Sequence, residues 1–451
     1  MTTFNLSGNL AKRATALFVG GMLATAALPG FAAPVELTLD EAIDMALKTN
    51  PSIKMSESDL KKSEWDVKGA KAAKSPSVNL SHNSIRSKSP ESANYVYNYN
   101  SITDTPQKLV IPSSIGNRYT NSVDLTLPLY TGGKLEGTIE KAQLGNKSAA
   151  FGLEKTRQQI KLDATTGYYA ILQTRNLVKL SEESLDQLNS HLKNVEAQYA
   201  AGTVAKTDVL RSEVEKASAE QSLIRAKNSY ELAVSGLNNI IGLPLETEIA
   251  VQEDLPYEQY DKTLAECIEV ALVNRPDLAQ VRASVASAKA DIKVAKSGNK
   301  PVIAASASEQ WSDNDFPGTD NNNWTVGISA SYNLFDSGLT RSQVKGAEAG
   351  LDKATEQLRQ AQDAAQLEVR QAYLNMKEAE KRIDTSKVAV TKAEEDFKIA
   401  QVRYSAGVGT NLDVIDSQVA LTSAKTDYVQ ALYDYNTSRA KLDKAMGIAV
   451  E

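Results

Sequence analysis

The strongest constraint on this fold is that the chain is written twice. LTLDEAIDMALKTNPSI, from Leu37, returns as KTLAECIEVALVNRPDL from Lys262. At that offset of 225, Leu39, Glu41, Ile43, Ala46, Leu47, Pro51 and Pro76 fall on Leu264, Glu266, Ile268, Ala271, Leu272, Pro276 and Pro301. A second block repeats at an offset of 205, pairing Leu129 with Leu334, Gly133 with Gly338, Tyr168 with Tyr373, Tyr199 with Tyr404, Gly202 with Gly407, Asp208 with Asp413 and Gly242 with Gly447. The offset changes once, by 20 residues, so the first copy carries a longer insertion between the two blocks. Residues 86–118, with Tyr95, Tyr97 and Tyr99, read as an exposed loop. Internal repeats mean one supersecondary unit used twice, each copy covering apolar surface of the other.

Each copy follows the same order. A short helix, Leu39–Leu47 in the first copy, ends at Asn-Pro, and a second runs to about Ala73, since Pro opens a helix but does not continue one. Two alternating segments follow, then a Pro-free stretch from Leu135 to Tyr199 whose 65 residues would span about 97 Å as helix; its twin runs from Leu339 to Tyr404. The lower parts of both carry heptads: Ile171, Val178, Leu185, Leu192 and Tyr199 with Leu188 and Val195 between, and Ile383, Val390, Phe397 and Tyr404 with Ala393 and Ala400 between. Each long helix then breaks at Gly, in AQYAAGTVAKTDVL and VRYSAGVGTNLDVI, and turns back for about 34 residues to Asn239 or Ala445. A further 34 helical residues, Leu264 to Ser297, are expected to lie end to end with the first return helix and so match one long helix in length.

The first 32 residues read as a secretory signal: Lys12 and Arg13 open it, Ala14 to Leu28 is apolar, and Gly30-Phe31-Ala32 offers small residues for cleavage. The expected layout is a signal at 1–32, a first repeat at 33–241 (β-hairpin 77–130, helical hairpin 135–240), a connection at 242–263, and a second repeat at 264–451 (β-hairpin 302–334, helical hairpin 339–446). Removing Lys12 and Arg13 takes the net charge from -6 to -8, an acidic balance that argues against nucleic acid as a partner. Cys267 is the one cysteine, and His82 and His191 are the two histidines, which leaves no basis for a disulfide framework, a metal site or histidine catalysis; no cofactor is expected. Aromatic content of 6% is low for a large compact core, and no later apolar run reaches the roughly 18 residues a membrane helix needs.

The alternating segments carry the remaining information. Ser122–Leu129 puts Val123, Leu125, Leu127 and Leu129 on one face and Ser122, Asp124 and Thr126 on the other, and Thr325–Tyr332 repeats the pattern. The segments Val78–Ser81 and Ile303–Ser308 alternate more weakly. Tyr119, Tyr130, Trp311, Trp324 and Phe335 stand toward the segment ends, as an interfacial girdle would. Both an ordinary soluble sheet and an outer-membrane barrel wall fit this pattern. Four strands cannot close a barrel, so the second reading requires oligomerisation.

Together the signal, LTLDEAIDMALKTNPSI, the junctions LPLYTGGKL and YNLFDSGLT, and the breaks YAAGTVAKTDVLRSE and YSAGVGTNLDVIDSQ resemble the TolC-like outer-membrane efflux family over essentially the whole mature chain. The resemblance implies a mainly α chain with a small all-antiparallel β part. Its four strands would join a 12-stranded transmembrane barrel shared by a homotrimer, continued by an α-helical coiled-coil barrel with an equatorial belt around 242–263. It further implies a passive, non-enzymatic exit duct in outer-membrane lipid for tripartite efflux or type I secretion, docked to a periplasmic adaptor and an inner-membrane transporter. A periplasmic adaptor or a structural coiled-coil protein of the envelope stays open as the other reading.

By the same resemblance the Gly breaks are the periplasmic tips. Asp413 and Asp416 match acidic positions around the aperture, Asp208 and Tyr404 match a pair linking the two hairpins, and Gly202 and Gly407 match adaptor-contacting tips; Gly409 stands where some members carry an arginine. The residues themselves allow other roles. Asp208 and Asp413 sit where a carboxylate caps a helix start, Tyr404 is a heptad core position shared with Tyr199, and the glycines end helices. Asp416 differs, because its partner in the first repeat is Arg211.

Overall fold

A computed structural model describes residues 35–96, 107–251 and 254–450; the expected signal, Tyr97 and Tyr99 lie outside the described residues. In chain order the elements are β1 (Val35–Glu36), α1 (Leu39–Thr49), α2 (Pro51–Ala72), β2 (Ser77–Ser89), β3 (Ser92–Val96), β4 (Gln107–Ile111), β5 (Ser114–Tyr130), α3 (Lys134–Ala200) and α4 (Lys206–Ile241). Then come β6 (Ile249–Ala250), α5 (Leu264–Asn274), α6 (Pro276–Ala295), β7 (Val302–Asp313), β8 (Asn321–Ser331), α7 (Leu339–Ser405) and α8 (Asn411–Ala445). The duplication reappears in the local chemistry. Thr38 with Glu41 and Thr263 with Glu266 form matching capping boxes, and Pro51 and Pro276 each open the next helix. Thr131 Oγ1 accepts from Leu135 N at the start of α3, and Asp336 takes that place before α7, accepting from Gly338 N and Thr340 N.

Helices α3 and α7 each hold 67 residues, about 100 Å at helical rise. Around them the shorter helices stack in pairs, but not in the expected pairing. The Asn50 amide before α2 donates to Ile240 O at the end of α4 (3.0 Å), and Arg275 before α6 donates to Ala445 O at the end of α8 (3.0 Å). The end-to-end partner of α4 is therefore α2 of its own repeat, not the 264–297 segment, which instead stacks on α8. The reason is geometric: α4 returns antiparallel to α3 and meets α2, which already lies along the upper half of the same helix. The helix order is thus α2–α3–α6–α7 in the upper half and α4–α3–α8–α7 in the lower half. The main core lies at mid-length, where α1, α5 and the connection wrap the long helices: β6 pairs parallel with β1, Tyr168 donates to Leu37 O and Asn436 to Pro256 O.

The sheet has the order β2-β5-β7-β8 and is antiparallel throughout. Its strands are longer than the alternation showed. The expected loop at 86–118 is corrected in its flanks: β2 and β5 stay paired as far as Ser89 and Ser114, and β3 and β4 form a further hairpin beyond them. Polar residues on both faces hid this extension, since alternation is visible only where one face is apolar.

Candidate aperture at the helical tips

The sheet supplies one end of the site. Its register aligns Val78, Leu125, Ala307 and Val326 in one row across all four strands, and Asn79, Asp124, Ser308 and Thr325 in the next. The first face exposes Leu80, Leu129, Trp324, Val326, Ile328 and Tyr332. The second is laced by hydroxyls, with Ser81 and Ser122 at 2.8 Å, Ser122 donating to Asp124 (2.7 Å) and Ser308 donating to Asp124 (2.6 Å). From Trp324 to Tyr332 the apolar face of β8 runs about 27 Å along the strand, or about 21 Å of height at a barrel-like 40° tilt, close to the apolar band of an outer-membrane barrel. Among the described residues strands β2 and β8 each pair on one side only.

The other end is built by the Gly breaks. Gly202 (φ +77°) and Gly407 (φ +73°) take the left-handed conformation that a side chain disfavours. Around each, the six-to-one bond of a Schellman turn closes the helix, Thr203 N to Gln198 O and Val408 N to Arg403 O, both 3.0 Å. Among the described residues nothing stands within 4 Å of where a Cβ would lie at either glycine, so both tips are bare. Gly409 is different: its Cβ would lie 3.0 Å from Tyr404 N, against the last turn of α7. Arg403, one turn earlier, reaches Val408 O at the same tip.

The predicted residues take distinct places. Asp413 is exposed and closes a capping box, accepting from Thr410 N (2.9 Å) while Asp413 N donates to Thr410 Oγ1. The bond from the Thr410 backbone, its hydroxyl and the nearby Arg403 charge hold the Asp413 carboxyl below its usual range. Asp416 is exposed one turn on along α8. Tyr404 is buried at 7% exposure while its twin Tyr199 is 45% exposed, so the expected shared heptad role divides. Tyr404 joins a buried cluster with Val195 of α3 and Val414 and Leu421 of α8, a cluster that Tyr199 does not enter. Burial, and then the charge of Asp208, push the Tyr404 phenol pKa up, yet its hydroxyl has no hydrogen-bond partner among the described residues. The expected Asp208–Tyr404 link is therefore one of proximity.

The polar bridge between hairpins is made by residues that sequence reasoning passed over. Asn411, at the start of α8 and 4% exposed, donates from Nδ2 to Asp208 O (3.0 Å) and Ser212 Oγ (3.2 Å) on α4. Its Oδ1 lies 2.6 Å from His191 Nε2 on α3. The His191 ring packs against Tyr404 at 5.1 Å between centroids. The available signal was the asymmetry that singles out Asp416: Asn411 stands where the first repeat has Lys206, and His191 where the second has Asp396.

Residues 42–243 and 267–448 each match the family described as Outer membrane efflux protein, one match per repeat. The chain belongs to the outer membrane efflux protein family. Outer membrane protein TolC of Escherichia coli (strain K12) is 24% identical over 345 residues, 73% of this chain and 70% of that protein. Alkaline protease secretion protein AprF of Pseudomonas aeruginosa is 24% identical over 344 residues, 74% and 70% of the two chains. The Campylobacter jejuni CmeC outer membrane channel has the same fold, with a TM-score of 0.76 at 17% identity over 91% of this chain and 85% of that one. This outer membrane efflux protein therefore resides in the outer membrane with a large periplasmic part, its sheet forming barrel wall and its helices the tunnel below, and it serves as an exit duct for efflux or secretion.

Proposed function

We propose that three copies of this chain close into a passive duct whose periplasmic end is an aperture ringed by Asp413 and Asp416, and that cargo arrives from an inner-membrane transporter through a periplasmic adaptor. The observation that carries this reading is the pair of open sheet edges. Strands β2 and β8 run in opposite directions, so β8 of one protomer meets β2 of the next antiparallel, and three sheets make a 12-stranded wall with no free edge, as a bilayer demands. The helical edges agree. On α4, Leu210, Val214, Ile224 and Leu232 are exposed, and on α7 Leu367, Leu374, Val388 and Val402 are exposed at multiples of seven. These two unpartnered stripes stand at opposite edges of the lower wall, where α4 of one protomer meets α7 of the next.

Three copies bring six carboxylates to one opening, a ring that favours cations at the entrance. Asp208 of one hairpin lies near Tyr404 of the other there, and the bare tips at Gly202 and Gly407 present backbone to the adaptor. Conductance of the purified protein in a planar bilayer tests the duct. Stable single-channel steps together with a heat-modifiable trimer are expected, and a non-conducting monomer recovered from the soluble periplasm would overturn the reading.

A further inference from the structure

We propose that Asn411 is the latch that holds the two hairpins of each protomer together at the tip, and that His191 makes this latch proton-sensitive. The inference rests on the duct reading above, since a latch matters only where the tips must part. Asn411 is the one side chain among the described residues that hydrogen-bonds α3 and α4 from α8 at this level: Nδ2 donates to Asp208 O and Ser212 Oγ, and Oδ1 accepts from His191. The two Nδ2 donations fix the amide's orientation, so His191 must present Nε2–H to Oδ1. Any parting of the second hairpin from the first breaks all three bonds.

His191 is 8% exposed and its Nδ1 has no hydrogen-bond partner among the described residues. A proton added there places a charge on a ring that is largely packed away from solvent. The groups on the ring are Tyr404 from α7, whose hydroxyl has no partner among the described residues, and Asn411 from α8; behind them on α4, Ser212 bonds Asn411 and Asp208 acts on Tyr404 through its charge. Asp208 engages the latch through its backbone carbonyl. Asp186 lines the same open cleft from the helix of His191 itself, and Arg403 and Asp413 sit at the turn beyond. Among the described residues no carboxylate forms an ion pair with the ring. Burial pulls the His191 pKa below 6.5, and the bond to Asn411 only partly offsets this. The cleft admits water and protons to one edge of the ring while the rest stays packed. The closed tip therefore binds the proton less well than the open one, and acid favours opening.

The sign and size follow from linkage. A histidine whose pKa is depressed in the closed form penalises that form as the pH falls below the solvated value of about 6.5, by up to about tenfold per pH unit per protomer, and about a thousandfold if three tips open together. The test uses the full-length trimer in detergent and in planar bilayers. Spin labels on Lys206 and Lys398 report the separation of the two hairpins by pulsed dipolar spectroscopy from pH 8 to pH 5, with single-channel conductance measured in parallel. The labels are expected to separate and conductance to rise below about pH 6.5. His191→Gln, which keeps an amide donor for Asn411, is expected to stay closed across the range, and Asn411→Leu to be open at every pH. A wild-type tip unmoved at pH 5, or a His191→Gln tip that still opens with acid, would overturn the latch. A pH-dependent distance change without any conductance would leave the latch standing and overturn the duct.

Discussion

Replacing Arg275 by Met is the most informative perturbation of the helical wall, because it separates a local junction from global stability. The guanidinium, with a side chain only 7% exposed, joins α6 to α8 through Ala445 O and pairs with Asp277 (2.7 Å) and Glu368 (2.6 Å). Breaking a fully buried ion pair costs about 3–5 kcal/mol. Here Asp277 is 33% and Glu368 41% exposed, so solvent screening reduces that to about 2 kcal/mol, and the lost bond to the carbonyl adds about 1 kcal/mol. The total of about 3 kcal/mol corresponds to about a hundredfold faster amide exchange at the junction. Hydrogen–deuterium exchange on the intact trimer should show this in peptides covering 270–282 and 440–448 and not at the equivalent Asn50–Ile240 junction. Burial alone would raise the pKa values of Glu368 and Asp277, but hydrogen bonds and charge from Arg275 more than offset it and both lie below 4.5 and 3.8. Depressed carboxylates stabilise the fold above their unfolded pKa and lose that contribution as pH falls through the folded one. Wild-type protection is therefore flat above about pH 5 and declines in stronger acid, while the Met variant, in which only Lys444 still holds Glu368 (3.0 Å), shows a smaller decline. A change under fivefold, or an equal change at both junctions, would refute the reasoning.

Gly447→Ala should be far more damaging than Gly407→Ala. Both have positive φ, but a Cβ at 447 would lie 2.7 Å from Arg275 Cα and one at 407 meets open space; thermal unfolding should show a shift of several degrees for the first and a cost of about 1 kcal/mol for the second. Ile224→Asp, on the exposed α4 stripe, should leave helix content unchanged by circular dichroism while abolishing the trimer on native mass spectra; a normal trimer would show that this stripe lies outside the interface. Asp413→Asn and Asp416→Asn should each weaken block of single-channel current by multivalent cations. Asp413→Asn alone should also speed exchange at 410–414, since only Asp413 caps α8; an unchanged blocking constant in both would remove the ring assignment.

Much of this protein was legible as pattern. The two offsets, the capping boxes at Thr38 and Thr263, the Pro starts and the Gly ends fixed the order and nearly the length of every helix, because these are local rules that act through a few neighbouring residues. Alternation located four strands where one face is apolar and missed the polar extension to Ser89 and Ser114. What the sequence could not decide was which equivalent elements meet. Asn50 and Arg275 hold the same place in their repeats, yet one junction is capped by an amide and the other clamped by ions. Tyr199 and Tyr404 share a heptad position, yet only Tyr404 is buried. The link between the hairpins passes through His191 and Asn411, 220 residues apart in the chain. Periodicity assigns a residue to a face of its own helix; only the tertiary arrangement, in which α8 lies between α3 and α7 while α4 stands at an edge, decides what that face touches.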